Sequence, residues 1–240
     1  RTGRPGRGLQ CLCRAARTDA QLHHTAGDGV CRLCHDGPGH AAVLDLPVGR
    51  FIVITGRSGA GKSTLLSIMG AMNAPTSGQF VVDDIDVYSL TQEKQADFRR
   101  EFLGFIFQSF HLVPYLTVFE NVMLPLTIIK ASRKHKRALV ENALSQVGLL
   151  DKADRLPNQI SGGEKERVAI ARAVVNEPPV LLADEPTGNL DSKTSAEIMK
   201  LLQRLNADGM TIIMVTHSSG CAQYARRLMQ VSDGRLVSDG

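Results

Sequence analysis

The sequence predicts an α/β fold: a mostly parallel sheet covered by helices, with a helical lobe inserted part-way along the chain. Three observations lead there. Short continuous apolar runs, Phe51-Ile52-Val53-Ile54, Val180-Leu181-Leu182-Ala183 and Thr211-Ile212-Ile213-Met214-Val215, have the character of strands buried on both faces. They alternate with segments of helical period, clearest in Ile198, Leu201, Leu202 and Leu205 at i, i+3, i+4 and i+7. From about residue 91 to about 160 the pattern is helical and polar instead. Alternating strands and helices bury a parallel sheet from both sides.

The first 42 residues stand apart. Arg1 to Arg50 contains no Lys, Glu, Ser, Asn, Ile, Met or aromatic residue, yet holds four of the five cysteines and four of the seven histidines. Apolar periodicity never lasts more than a few residues, so no helix or strand is assigned. Residues 1–42 read as an atypical leader, disordered or non-native, of the kind a GC-rich stretch read in the wrong frame or an unremoved upstream region produces. No continuous apolar stretch follows its arginines, so it is not a secretory signal. Cys11-x-Cys13 with Cys31-x-x-Cys34 poses a four-thiolate zinc site as an alternative, although the C-x-C half is atypically spaced. Cys31-Arg32-Leu33-Cys34-His35 also fits c-type haem attachment, which would require export.

Order is expected from Val43, giving one domain over 43–240 with a core of about 43–90 and 161–240 and a helical subdomain of about 91–160. Phe51 to Thr55 is a buried strand, and a helix opens near Lys62, with Leu65, Leu66, Ile68, Met69 and Met72 at helical spacing. Asn73-Ala74-Pro75-Thr76-Ser77-Gly78 stops it. Gln79 to Val82 is a short strand, and a second short run lies around Val87-Tyr88. A polar helix starts near Thr91, and Leu103 to Phe107 is a strand that ends on Gln108. Thr117 to Ile129 is a helix interrupted at Pro125. Lys130, Arg133, Lys134, Lys136 and Arg137 open the next helix, which runs to about Val147. That cluster reads as a solvated face, with contact to anionic lipid headgroups as the alternative. Helices follow Ile160 and Ser192, and Asp233-Gly234 turns a hairpin between Leu228–Val231 and Arg235–Val237.

The chemistry is concentrated between Gly56 and Thr64. Gly56, Arg57, Ser58, Gly59, Ala60, Gly61, Lys62, Ser63 and Thr64 satisfy the pattern G-x-x-x-x-G-K-[ST] between a strand and a helix. Glycines let the backbone wrap phosphate oxygens with successive N–H groups pointing inward, and the helix start adds its unpaired N–H groups. Lys62 would reach the β- and γ-phosphates and the Ser63 hydroxyl would ligate magnesium. The α/β fold is therefore read as a P-loop nucleotide-triphosphatase core. Asp184 closes a buried strand, where a carboxylate that holds magnesium belongs, and Glu185 beside it is placed to polarise water as a general base. Gln108 is placed to touch the metal or the attacking water, and His217 the γ-phosphate. Each lies at a strand end or in the turn after it, where open α/β sheets bind ligands.

Composition narrows the partners. A net charge of +4 without a basic stripe gives no ground to expect nucleic acid. No window of about 18 apolar residues occurs, so any membrane span belongs to another chain.

Ser161-Gly162-Gly163-Glu164, followed by a helix, makes the set specific. With the phosphate loop, Gln108, Asp184-Glu185, Gly188-Asn189-Leu190-Asp191 and His217, in that family's order and approximate spacing, the chain from Val43 to about Ser238 resembles the ATP-binding cassette (ABC) ATPases. The resemblance implies a head-to-tail homodimer that sandwiches two ATP with Mg2+. Each phosphate loop would face Ser161, Gly162, Gly163 and Glu164 of the other copy, and Asp191 would lie across the interface. Glu185 would be the general base, with Asp184, Ser63 and Gln108 around magnesium. A groove near Gln108 would grip a separate transmembrane permease, placing the chain on the cytoplasmic face of the cell membrane. Gln108-Ser109-Phe110, Leu116 to Val122 and Ala183 to Asp191 look like the branch of lipoprotein-release and macrolide-export ATPases, to which the cell-division ATPase is also similar. The alternative is a soluble or cell-division-type ABC ATPase that uses ATP to gate assembly.

Three departures stand out. The family usually has two strands and an adenine-stacking aromatic before residue 43, and no aromatic occurs there. Arg50 stands where Glu is common, and Ser218-Ser219 follow His217 where an acid is common. Weak ATP binding and reduced stability are expected from the first.

Overall fold

The structure, a computed structural model, describes residues 30–37, 40–82 and 84–240, with side chains from Leu44 onward apart from that of Ser219. In chain order its strands and α-helices are β1 (Val30–Gly37), β2 (His40–Pro47), β3 (Phe51–Thr55), α1 (Lys62–Met69), β4 (Gln79–Val82), β5 (Ile85–Asp86), α2 (Gln92–Phe102), β6 (Leu103–Ile106), α3 (Val118–Met123), α4 (Arg133–Gln146), α5 (Gly162–Val174), β7 (Val180–Asp184), α6 (Ser192–Ala207), β8 (Thr211–Thr216), β9 (Arg227–Ser232) and β10 (Arg235–Asp239).

The main sheet runs β10-β9-β3-β8-β7-β6, parallel from β9 through β6 with β10 antiparallel at one edge. Both faces are covered, which is why its strands read as unbroken apolar runs. Phe51 and Val53 of β3, Leu181 of β7 and Ile212 of β8 point into one core with Ile198 and Leu202 of α6, Ile170 of α5 and Leu144 of α4. The intervening Ile52, Ile54, Leu182, Ile213 and Val215 point into the other, with Leu66 and Met69 of α1 and Phe98 and Phe102 of α2. Fully burying one such side chain contributes about 1.5–3 kcal/mol.

Parallel register aligns the strand ends. Thr55 is opposite Thr216, Asp184 opposite Val215, and Ile106 opposite Ala183. The four segments that leave β3, β8, β7 and β6 therefore emerge side by side at one end of the sheet.

Three expectations are corrected. Strand structure begins before Val43: β1 precedes it and β2 spans it, pairing antiparallel from Val30↔Pro47 to Gly37↔His40, and β1 pairs β4. Backbone pairing with Gln79 to Val82, some fifty residues away, is invisible to a local periodicity window. Leu44, Leu46 and Phe80 bring this second sheet, β2-β1-β4-β5, into the core beneath α1. Secondly, the core does not stop near residue 90: β6 is a strand of the main sheet and α2 covers it, so helical structure outside the sheet begins only after Gln108, with α3, α4 and α5 packed on one another. The strand itself is legible in the sequence, but its place in the main sheet is set by pairing with β7, which a local pattern does not carry. Thirdly, the run at Val87-Tyr88 is a 3₁₀ turn capped by Asp86, and the strand is Ile85–Asp86 just before it. Helix α1 also ends at Met69, short of Met72, where Gly70 lies against the Phe105 ring. The Cys11 and Cys13 zinc reading and the Cys31–His35 haem reading lie outside the described residues and side chains.

Candidate functional site

The phosphate loop leaves β3 at Gly56 and enters α1 at Lys62. Gly59 and Gly61 have φ of 80° and 95°, the left-handed conformation that turns successive N–H groups to one side. Lys62 is 7% exposed, and its Nζ donates to the Gly56 and Arg57 carbonyls at 2.9 and 3.1 Å. The ammonium is thus held inside the loop by the loop's own backbone. Arg57, Ser58, Gly59, Ser63 and Thr64 are exposed, and Ala60 is buried beneath them.

Across the sheet, Ser63 Oγ donates to Asp184 Oδ1 at 3.2 Å. Burial raises the Asp184 carboxyl above the usual range; Ser63 and Lys62 pull it down, and neighbouring Glu185 pushes it up. A half-buried carboxylate beside a hydroxyl, open towards a phosphate cradle, is a donor set that fits magnesium, which takes one or two protein oxygens and completes its shell with phosphates and water.

Glu185 and His217 form a pair. His217 Nδ1 lies 2.8 Å from Glu185 Oε1, and Thr216 Oγ1 donates to Glu185 Oε2 at 3.2 Å. Nδ1 engaged in this way leaves Nε2 available. Glu185 is 9% exposed while the His217 side chain is 62% exposed, so the carboxylate is reached past the imidazole. Glu185 has φ of 50°, a left-handed conformation that a non-glycine residue keeps only where its surroundings impose it. Its N–H donates to Val215 O at 3.0 Å, which fixes the turn. Gln108 is exposed, its carbonyl accepts from Asn189 Nδ2 at 2.9 Å, and its Nε2 borders Gly188.

Ser161 caps α5 in a capping box: Glu164 N–H donates to Ser161 Oγ at 3.3 Å and Ser161 N–H to Glu164 Oε2 at 2.8 Å. Lys152 ion-pairs with Glu164 and, with the Ser161 bonds, holds its carboxyl down to about 2. A Cβ on Gly163 would stand 2.4 Å from Thr194 Cγ2, so this glycine lets α5 start close against α6; Gly162 is exposed. Asp191 caps α6: its Oδ1 accepts from Lys193 and Thr194 N–H at 3.0 Å each, and its Oδ2 from Thr194 Oγ1 at 2.6 Å. Within the chain its carboxylate is committed to that helix start.

The sequence profile described as ABC transporter matches residues 40–188. The chain belongs to the ABC transporter family. An ABC transporter ATP-binding protein of Bacillus subtilis, YvrO, is 46% identical over 196 residues, covering 82% of this chain and 86% of that one. The macrolide export ATP-binding/permease protein MacB of Burkholderia pseudomallei is 43% identical over 82% of this chain, which spans only 30% of MacB. Among solved structures, the ATP-binding cassette MJ0796, a dimer in a post-hydrolysis state with ADP and Pi, matches with a TM-score of 0.74 and 37% identity, over 88% of this chain and 97% of that one. The activity of this ABC domain is ATP hydrolysis, on a P-loop α/β fold.

Local reading of the sequence missed how this ATPase holds its phosphate loop. The β9–β10 hairpin lies directly against it. Gly234 N–H donates to Ala60 O at 3.0 Å, and Thr55 Oγ1 donates to Met229 O at 3.2 Å. A Cβ on Gly56 would stand 2.2 Å from the Val231 carbonyl oxygen, a backbone atom that has nowhere to go. Gly56→Ala is therefore expected to push the loop off the hairpin, destabilising the protein by about 1–3 kcal/mol and weakening nucleotide binding. Thermal melts with and without ATP check this; a melting temperature and an ATP-induced shift equal to wild type would contradict it. The signal was present only as a glycine whose neighbour lies some 175 residues away.

Proposed function

We propose that this chain is the ATP-hydrolysing subunit of an ABC transport or mechanotransmission complex, working as a head-to-tail homodimer on a separate membrane permease at the cytoplasmic face. The supporting observation is the register that sets the phosphate loop, Asp184-Glu185, His217 and Gln108 at the ends of four adjacent strands. Binding comes first. The loop N–H groups and the α1 start receive the phosphates, and Lys62, already aimed inward, exchanges its carbonyl partners for phosphate oxygens. Ser63 and Asp184 would hold magnesium, whose charge would offset the negative charge that develops on the transferring phosphoryl group. Glu185 accepts the proton of the attacking water, and its bonds from Thr216 and His217 fix the carboxylate for that task. His217, exposed, offers Nε2 to the γ-phosphate.

The rest of the anion site comes from a second copy. Ser161 and Gly162 are exposed at the N-terminus of α5, with Gly163 half-buried behind them, and the MJ0796 cassette is itself a dimer. No helix among the described residues is long and apolar enough to cross a membrane. Similarity to MacB favours the macrolide- or peptide-export and lipoprotein-release branch. Affinity capture of the tagged chain from detergent-solubilised membranes, with ATP turnover measured on the captured material, tests the proposal. Recovery of a polytopic membrane protein together with Mg-ATP hydrolysis is expected. Turnover by the chain with no membrane protein recovered would overturn the transport role.

A further inference from the structure

After β6 the chain passes through Gln108 into a segment that stays irregular until α3 begins at Val118. It is tied from three sides. Asn189, in the loop that follows Glu185, donates to the Gln108 carbonyl at 2.9 Å. Asn121 of α3, fully buried, donates to the Val113, Leu116 and Thr117 carbonyls at 3.1, 2.9 and 3.0 Å and accepts from Val113 N–H at 2.8 Å. The middle tie is Arg172, in the last turn of α5. Its Nη2 donates to the Phe110 carbonyl and its Nη1 to the His111 carbonyl, both at 2.6 Å.

The middle tie holds the strained part. Phe110 and His111 have φ of 58° and 48°, left-handed conformations that an unconstrained chain would relax. Two consecutive carbonyls turned the same way match the planar fork of a guanidinium, whose donors sit at fixed spacing; an ammonium has no such fork. Arg172 is free for this because the acidic neighbour on α5, Glu166, does not capture it. Glu166 is 1% exposed with Oε1 unpartnered, and burial pushes its carboxyl up to about 8, leaving it neutral at pH 7. The other end of the same helix is the Ser161 capping box. One rigid element therefore joins the turn that faces the partner copy to the loop that carries Gln108.

We propose that Arg172 is a positioning residue of the ATPase: it fixes Gln108 through the Phe110 and His111 carbonyls and passes displacement of the α5 start on to it. The inference rests on Gln108 acting at the metal or attacking water, as proposed above. The test is a double-mutant cycle on the full chain with Gln108→Ala, Arg172→Lys and the double variant, reading kcat and KM for Mg-ATP. Arg172→Gln, which keeps one donor, replaces Arg172→Lys should that variant not fold. Arg172→Lys is expected to lower kcat by about tenfold with KM within about twofold, because the phosphate loop is untouched. In the Gln108→Ala background it should lower kcat no further. Equal losses in both backgrounds would overturn the inference while leaving Gln108 in the chemistry. Full activity of Gln108→Ala would overturn the role of Gln108 and the inference with it.

Discussion

Replacing Glu185 with Gln is expected to lower kcat for ATP by about 10²–10⁴-fold, the usual weight of a positioned general base, while ATP binding survives. The amide keeps the volume of the carboxyl in a site that is 9% exposed, and its oxygen still accepts from Thr216 or His217. It cannot take the proton of water. The left-handed backbone at Glu185 is held by the Val215 bond rather than by the side chain, so the turn should stand. With hydrolysis blocked, ATP has no route to ADP between two copies, and the closed dimer accumulates. Phosphate release at saturating Mg-ATP and size-exclusion chromatography with ATP read the two effects. A kcat within threefold of wild type would remove Glu185 from the base role. Absence of an ATP-dependent dimer would count against the two-copy site even if turnover is lost.

What the chain discloses locally and what it conceals divide along sequence separation. Phe51 to Thr64 announces itself because strand, loop and helix are contiguous, and each residue type has a job its neighbours complete. Val180 to Glu185 and Thr211 to His217 are legible for a related reason: strands covered on both faces leave no polar alternation, and the candidate site residues stand where such runs stop. β1 and β2 were not legible, since their stability comes from pairing with each other and with β4, not from a periodic face. β6 was legible as a strand but not as a member of the main sheet, because membership is set by pairing with β7. Glu185 and His217 are each legible as polar residues at the end of a buried strand. That they would be partners of one another follows only from β7 and β8 lying adjacent. Asp191 and Gly163 show the same limit from the other side: read as residues facing a second copy, they also build the start of α6 and its contact with α5.

Glu166→Gln is expected to stabilise the protein, increasingly so as pH rises. Burial holds the Glu166 carboxyl up to about 8, against an ordinary value of 4.5, with only the nearby Arg172 charge opposing. Below pH 4.5 both folded and unfolded chains carry the proton, and the group contributes nothing to pH dependence. Between 4.5 and 8 the folded state keeps a proton that the unfolded state has released, so stability falls with pH; above 8 both are ionised and the penalty levels off. The full penalty is on the order of a few kcal/mol. Gln, neutral throughout and of nearly the same shape, escapes it. In a chain of 240 residues, the difference in melting temperature between variant and wild type should widen by about 5–10 °C from pH 5 to pH 8.5. Taking the difference cancels every group the two proteins share. A difference that stays flat with pH would mean that Glu166 is ionised in the fold, paired with Arg172. The guanidinium would then have a competing acceptor, and the Phe110 and His111 carbonyls would lose the donor that keeps their turn in its left-handed conformation. Widening with pH, by contrast, is what a neutral Glu166 and a guanidinium committed to the Gln108 loop require together.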